Sequence, residues 1–245
     1  MTGIETSTIS VADLSAYLAR PAGGGSDAGV LLLPMITGIG DQLRDWADAI
    51  ADTGITALVW DPFHGRSTDN SSREELSALL AKLDDETALQ EQTALVDHLL
   101  GELGCTRVGT IGWCLGGRFA LLLAARDSRL VSAVAYHPVV PSKPAPNHTL
   151  DPVAAVAGVG VPVMVLYPSA DSIVSVEAFG LLQTALQSRA AGATITHFYP
   201  GAEHGFADRS RHGNEVNAAA FKLSWPQVLA FLQTTTVVAP GHEVT

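Results

Sequence analysis

The clearest chemical signal in the chain is one cysteine and its neighbours. Cys114 lies at the centre of Gly112-Trp113-Cys114-Leu115-Gly116-Gly117. The apolar, β-branched run Arg107 to Ile111 precedes this segment, and an apolar stretch of helical length follows it. Strand, tight turn and helix in that order present a nucleophile at the apex of the turn. Gly112 and Gly116 stand two residues on either side of the cysteine, where a side chain would strike the flanking strand or helix. Such a turn also sets the thiol at a helix N-terminus, where free N–H groups and the helix dipole favour a thiolate. Serine is the usual residue at such an apex, and a free thiol is ordinarily a packing residue. The context therefore carries the assignment. Cys105, in Gly104-Cys105-Thr106 ahead of the strand, has no such context and reads as a bystander.

A nucleophile needs a base, and the base needs a group to orient it. Downstream of Cys114, the run Val161 to Tyr167 leads into Pro168-Ser169-Ala170-Asp171, which sets Asp171 just past a strand end. A later run, Thr194 to Tyr199, leads into Glu203-His204-Gly205-Phe206. His204 can take the thiol proton, and Asp171 can fix its tautomer. Asp151 remains open as an alternative acid. His64, His137, His197 and His212 remain open as rival bases, although His64 precedes the nucleophile and so breaks the chain order nucleophile, acid, histidine. The oxyanion hole takes backbone N–H groups of Leu115 and, from the loop after the first core strand, Ile36. Trp113, Tyr136 and Phe206 are expected to line the pocket. The sequence has no His-x-x-x-His pair, no Cys-x-x-Cys and no carboxylate cluster at ligand spacing, so neither a metal nor a cofactor is expected.

These groups need a scaffold with several strand ends close together. Continuous apolar runs at Val30 to Leu33, Ile55 to Trp60, Arg107 to Ile111, Val131 to Tyr136, Val161 to Tyr167 and Thr194 to Tyr199 read as strands covered on both faces. Helical stretches lie between or after them: Asp41 to Asp52, Glu74 to Leu103 with a break, Leu115 to Ala125, Val176 to Ala191 and Glu215 to Leu232. That alternation predicts an α/β fold, a mostly parallel sheet with helices on both faces. Ile4 to Leu18 is expected to add an antiparallel hairpin, and Gly23-Gly24-Gly25-Ser26 a turn. The absence of repeats and linkers predicts one domain over 1–245. The proline-rich loop 138–152 is expected near the site, as an ordered surface loop or a small lid, and Ala239 to Thr245 as a frayed tail.

Composition narrows the function. Of 245 residues, 47% are hydrophobic and 16% charged, which excludes a disordered chain. The net charge of −11, without a basic cluster, argues against nucleic acid as a partner. No apolar run is long enough for a membrane span, and Met1 to Val11 shows no secretory signal, so a cytoplasmic monomer acting on a small molecule is expected. Two cysteines are too few for a disulfide framework.

The segments Gly-Trp-Cys-Leu-Gly-Gly at 112–117, Tyr167 to Asp171 and Glu203-His204-Gly205-Phe206-Ala207 resemble the dienelactone hydrolase family of α/β-hydrolases, over about Leu31 to Leu232. The resemblance implies a Cys114, His204, Asp171 triad and hydrolysis of an enol-lactone such as a dienelactone. Two positions depart from the family pattern. A glutamate that pairs with the resting thiol is replaced by Met35. An arginine about four residues after the histidine, which holds the substrate carboxylate, is replaced by Asp208, with Arg209 and Arg211 beyond and Arg73 a loose match upstream. The residues thus point to a hydrolase of a carboxylic ester or lactone. The alternatives are a hydrolase of another small ester, thioester or amide, and a non-catalytic thiol-based binding or redox-sensing protein on the same fold. A sensor would react with iodoacetamide at Cys114 yet hydrolyse no activated ester.

Overall fold

The computed structural model describes residues 3–24, 26–140 and 144–237. In chain order the elements are β1 (Ile4–Val11), β2 (Leu14–Pro21), β3 (Ala28–Leu33), α1 (Asp41–Ala51), β4 (Thr56–Trp60), α2 (Arg73–Leu80), α3 (Asp85–Leu100), β5 (Arg107–Trp113), α4 (Leu115–Arg126), β6 (Leu130–Tyr136), α5 (Pro152–Ala155), β7 (Val163–Ala170), α6 (Val176–Gln187), β8 (Thr194–Glu203) and α7 (Glu215–Thr236). The strands form one sheet in the order β1-β2-β4-β3-β5-β6-β7-β8. The β1–β2 and β2–β4 pairings are antiparallel, and those from β4 through β8 are parallel. This is the mostly parallel α/β sheet the alternation predicted, and it matches the α/β-hydrolase architecture that the resemblance implied.

The continuous apolar runs are explained by burial on both faces. In β3, Leu31 and Leu33 join the core under α2, α3, α4 and α6, while Val30 and Leu32 join the one under α1 and α7. The expected Glu74–Leu103 helix is broken: Ser72 caps α2 with a capping box and Asp84 caps α3. The α6 helix stops at Gln187, short of Ala191. Beyond it the Arg189 guanidinium turns inward to donate to the carbonyls of Val159 and Val161.

From β3 the chain steps to β4 on one side and returns to β5 on the other, so the strand order reverses at β3. Carboxyl ends of strands at such a switch point leave a crevice for a ligand. Among the described residues, no helix is long and apolar enough to cross a membrane. The Gly23–Ser26 turn includes residue 25, which lies outside the described residues, as do residues 141–143 of the proline-rich loop and the tail from 238.

Candidate active site

Sterics build the turn at Cys114. Its backbone stands at φ 53°, ψ −110°, in the left-handed half of the map, at a cost of order 1–3 kcal/mol. A Cβ added to Gly112 would lie 2.0 Å from the Gly116 carbonyl oxygen, and one added to Gly116 would lie 1.9 Å from that of Leu33. Neither position can hold any other residue without moving main chain. The helix behind the turn is anchored by a fully buried fork, in which Arg118 donates to both oxygens of Asp85 at 2.6 and 2.7 Å.

Asp171 follows β7, and its carboxylate is fully committed. One oxygen accepts from the N–H groups of Ile173 and Val174, at 2.8 and 2.9 Å. The other accepts from Nδ1 of His204 at 2.8 Å. His204 follows β8 and is buried, and it shares a cavity wall with Cys114. Burial opposes a charge on this ring, yet the bond to Asp171 and then the interaction with Cys114 outweigh it, raising its pKa from 6.5 to about 9. The three residues thus come together from the carboxyl ends of β5, β7 and β8 in the order that orients a base toward a nucleophile.

Cys114 and His204 open on a cavity of about 290 Å³, whose wall includes Met35, Ile36, Thr37, Arg73, Ile173, Asp208 and Arg211. Ile36 shares this cavity wall with Cys114, and Leu115 opens the first turn of α4, whose N–H groups have no helical acceptor. Arg211 faces the cavity, whereas Arg209 turns away to pair with Asp45 at 2.6 Å. Asp208 spends one oxygen on the Ser210 N–H. Thr37, Thr68, Ile173 and Ser210 are wall residues that sequence reasoning missed; Ile173 was within reach, since it lies two residues beyond Asp171.

Three expected pocket residues are corrected. Trp113, Tyr136 and Phe206 are completely buried and form core. Alternation along β5 and β6 turns Trp113 and Tyr136 under the sheet, where Trp113 stacks on Trp46 at 4.3 Å and lies 5.8 Å from Tyr136. Phe206 lies 5.8 Å from Tyr136 and 5.2 Å from Tyr199. None of the described residues of loop 138–152 lines the cavity. Asn147 donates to Leu80 and Leu83, and Leu150 is bonded to Asp85 and Arg118, which staples this segment onto α2, α3 and α4.

The rivals Asp151, His64, His197 and His212 have other partners. Asp151 accepts from Val153 N–H as the cap of α5. His64 faces Glu91, His197 bonds to Tyr199, and His212 donates to the Phe206 carbonyl. His137 lies against His204, with ring centroids 4.8 Å apart. Among the described residues, no group of three His, Cys, Asp or Glu side chains is placed to hold a metal ion.

The arrangement suits nucleophilic acyl transfer, and comparison with known proteins bears on the family. The sequence profile of the dienelactone hydrolase family matches residues 14–236. A Rhodococcus opacus protein described as carboxymethylenebutenolidase is 29% identical over 235 residues, covering 92% of this chain and 88% of its own. A Bradyrhizobium protein described as a probable 2-oxo-3-(5-oxofuran-2-ylidene)propanoate lactonase is 28% identical over 222 residues, covering 89% of this chain and 88% of its own. Among solved structures, a Klebsiella pneumoniae protein described as a candidate dienelactone hydrolase superimposes with a TM-score of 0.83 over 94% of this chain and 98% of its own. At 24% identity, that match bears on the fold alone.

Proposed function

The chain belongs to the dienelactone hydrolase family, and from that premise we propose that it opens a small carboxylate-bearing lactone or ester, such as an enol-lactone, through Cys114, His204 and Asp171. The observation that carries this reading is the alignment of Asp171, His204 and Cys114 on a cavity that also holds Arg73 and Arg211. His204 takes the thiol proton. A ring whose conjugate acid has a pKa of about 9 keeps that proton at neutral pH. The sulfur attacks the carbonyl carbon, and the oxyanion draws on the N–H groups of Leu115 and Ile36. The carbon–oxygen bond then breaks, and His204 donates its proton to the leaving oxygen. Water attacks the thioester, giving its proton to His204; the carbon–sulfur bond breaks and the proton returns to sulfur.

Met35 accepts no proton, so proton transfer rests on His204. Enol oxygens leave readily, which suits thiolate attack. Arg73 and Arg211 supply two cations for a substrate carboxylate. A reducing compartment such as the cytoplasm suits a catalytic thiol. The test is a turnover screen over carboxylated enol-lactones, neutral lactones and p-nitrophenyl esters, with Cys114→Ala as the blank. Carboxylated enol-lactones are expected to give the highest kcat/KM. Turnover of none of these above the blank would overturn the reading.

A further inference from the structure

His137 is buried, makes no hydrogen bond through its ring and has no part in the reaction derived above, yet it touches both halves of the candidate machinery. It directly follows β6 with φ +35°, a left-handed conformation that side chains seldom adopt. The backbone around it clasps the nucleophile from two sides. Cys114 N–H donates to the Tyr136 carbonyl at 3.0 Å, and Val139 N–H donates to the Cys114 carbonyl at 3.1 Å. His137 N–H itself donates to the Leu166 carbonyl of β7 at 2.7 Å. Its ring lies 4.8 Å from that of His204, inclined at 61°, and 5.6 Å from that of Phe206. Neither ring nitrogen has a partner among the described residues. An unsatisfied buried polar group in a native fold calls for an explanation.

What such a side chain offers its neighbour is therefore the surface of a flat, neutral ring. Burial first, then the charges of His204 and Arg211, push its pKa well below 6.5. It does not compete with His204 for a proton, and it does not repel the imidazolium. The inclined contact is the geometry in which the edge of one ring meets the π face of another. A cationic ring at that separation is within the range at which an aromatic face attracts it.

We propose that His137 is a positioning residue, which holds Cys114 through the main chain of its segment and braces the His204 imidazolium with its neutral ring. A plain packing role would be met by any apolar side chain of similar size, whereas this role needs an aromatic ring. Two variants separate them: His137→Leu fills the space without a ring, and His137→Phe restores a ring without nitrogens. The groups that act on the titration of His204 are Asp171 and Cys114, and His204 and Arg211 in turn act on His137.

The deciding readout is the titration of the His204 ring, followed by NMR of the imidazole in the folded protein. In His137→Leu the midpoint is expected to fall by about 0.5–1 pH unit from wild type, and in His137→Phe to stay at the wild-type value. The rate of Cys114 alkylation by iodoacetamide at neutral pH is expected to fall about 3–10-fold in His137→Leu alone. Leu and Phe variants that behave alike, whether both match wild type or both depart from it, would overturn the proposal. Far-UV circular dichroism checks the fold, and His137→Met replaces His137→Leu should the latter not fold. The proposal takes its functional meaning from the hydrolase reading, but neither readout uses turnover. Failure of the substrate screen and failure of the brace are therefore separate results.

Discussion

The two cysteines stand at opposite ends of one strand and have opposite surroundings. Cys105 enters β5 from the amino end. It is buried against Leu99 and Gly29, where a Cβ added to Gly29 would lie 2.9 Å from its sulfur. Burial, only partly offset by a hydrogen bond to Thr56, pushes this thiol from 9.0 up to about 11. Cys114 leaves β5 at the carboxyl end on a left-handed turn, opens on a cavity and meets a histidine held by a carboxylate. The strand that joins them, Arg107–Trp113, is buried along almost its whole length. In a parallel sheet the carboxyl ends face the crevice at the switch point and the amino ends face packed loops. The end of the strand therefore sets what a thiol can do.

The sharpest test of that contrast is to remove each thiol in turn. Cys114→Ala is expected to lower kcat for the best lactone on the order of 10⁴-fold or more, as loss of a nucleophile does. Mass spectrometry after iodoacetamide should find label on Cys114 and none on Cys105 in the folded protein. Label on Cys105 at a comparable rate would break the comparison. Next in size is the orienting carboxylate. Asp171→Asn retains the shape but favours the wrong tautomer of His204, and kcat should fall on the order of 10³–10⁴-fold. Turnover within a few-fold of wild type would mean that His204 needs no anchor.

Arg211→Met is expected to have a smaller and selective effect. With one of two cations gone, KM for a carboxylated lactone should rise roughly 10-fold, on the scale of a lost charge-assisted hydrogen bond. A neutral p-nitrophenyl ester should be little affected. An equal loss on both substrates would assign Arg211 to the architecture of the loop, where it also faces Glu203 at 3.7 Å.

The difference between the two ends also sets how stability depends on pH. His204 is raised from 6.5 to about 9, so between those values the folded state holds a proton that the unfolded state has lost. Its contribution is complete below pH 6.5 and disappears as pH rises through 9, at a scale of about 1–3 kcal/mol. Cys105 has the same sign in a higher window. Its contribution is complete below pH 9.0 and disappears as pH rises through about 11. Denaturation midpoints across pH should therefore flatten between 6.5 and 9 in His204→Ala and between 9 and 11 in Cys105→Ala. A profile that keeps its slope in either variant would remove that group from the account.

The sequence was most legible where one local rule decides a position. The elbow glycines follow from steric necessity, and the apolar runs follow from burial on both faces. Asp171 and His204 were legible because each directly follows a recognisable strand. The aromatic residues were misread because lying next to the nucleophile in sequence does not mean facing the cavity. Trp113 adjoins Cys114, but the twofold alternation of β5 continues to Trp113 and turns it under the sheet. Arg211 could not be told from Arg209 in advance. Which of them faces the cavity depends on the short turn at Arg209–Arg211, whose cap is Asp208. The relation of His137 to Cys114 and His204 is a long-range one, since four strands, β5 to β8, must be in register before these residues meet.

The smallest expected effect concerns Cys105→Ala. The substitution removes one buried sulfur and leaves a void beside Gly29 and Leu99, a loss of about 1 kcal/mol by area. In a chain of this size that lowers Tm by roughly 2–4 °C. Activity has no reason to change. Cys105 precedes β5 and Cys114 follows it, and the strand between is hydrogen-bonded to β3 and β6 on its two sides, which isolates one end from small adjustments at the other. Thermal melts and lactone kinetics on the same sample should therefore separate, with a lower Tm and kcat/KM within twofold of wild type. A loss of activity well beyond that, in a protein still folded at the assay temperature, would mean that β5 transmits displacement along its length and that its two ends are not independent.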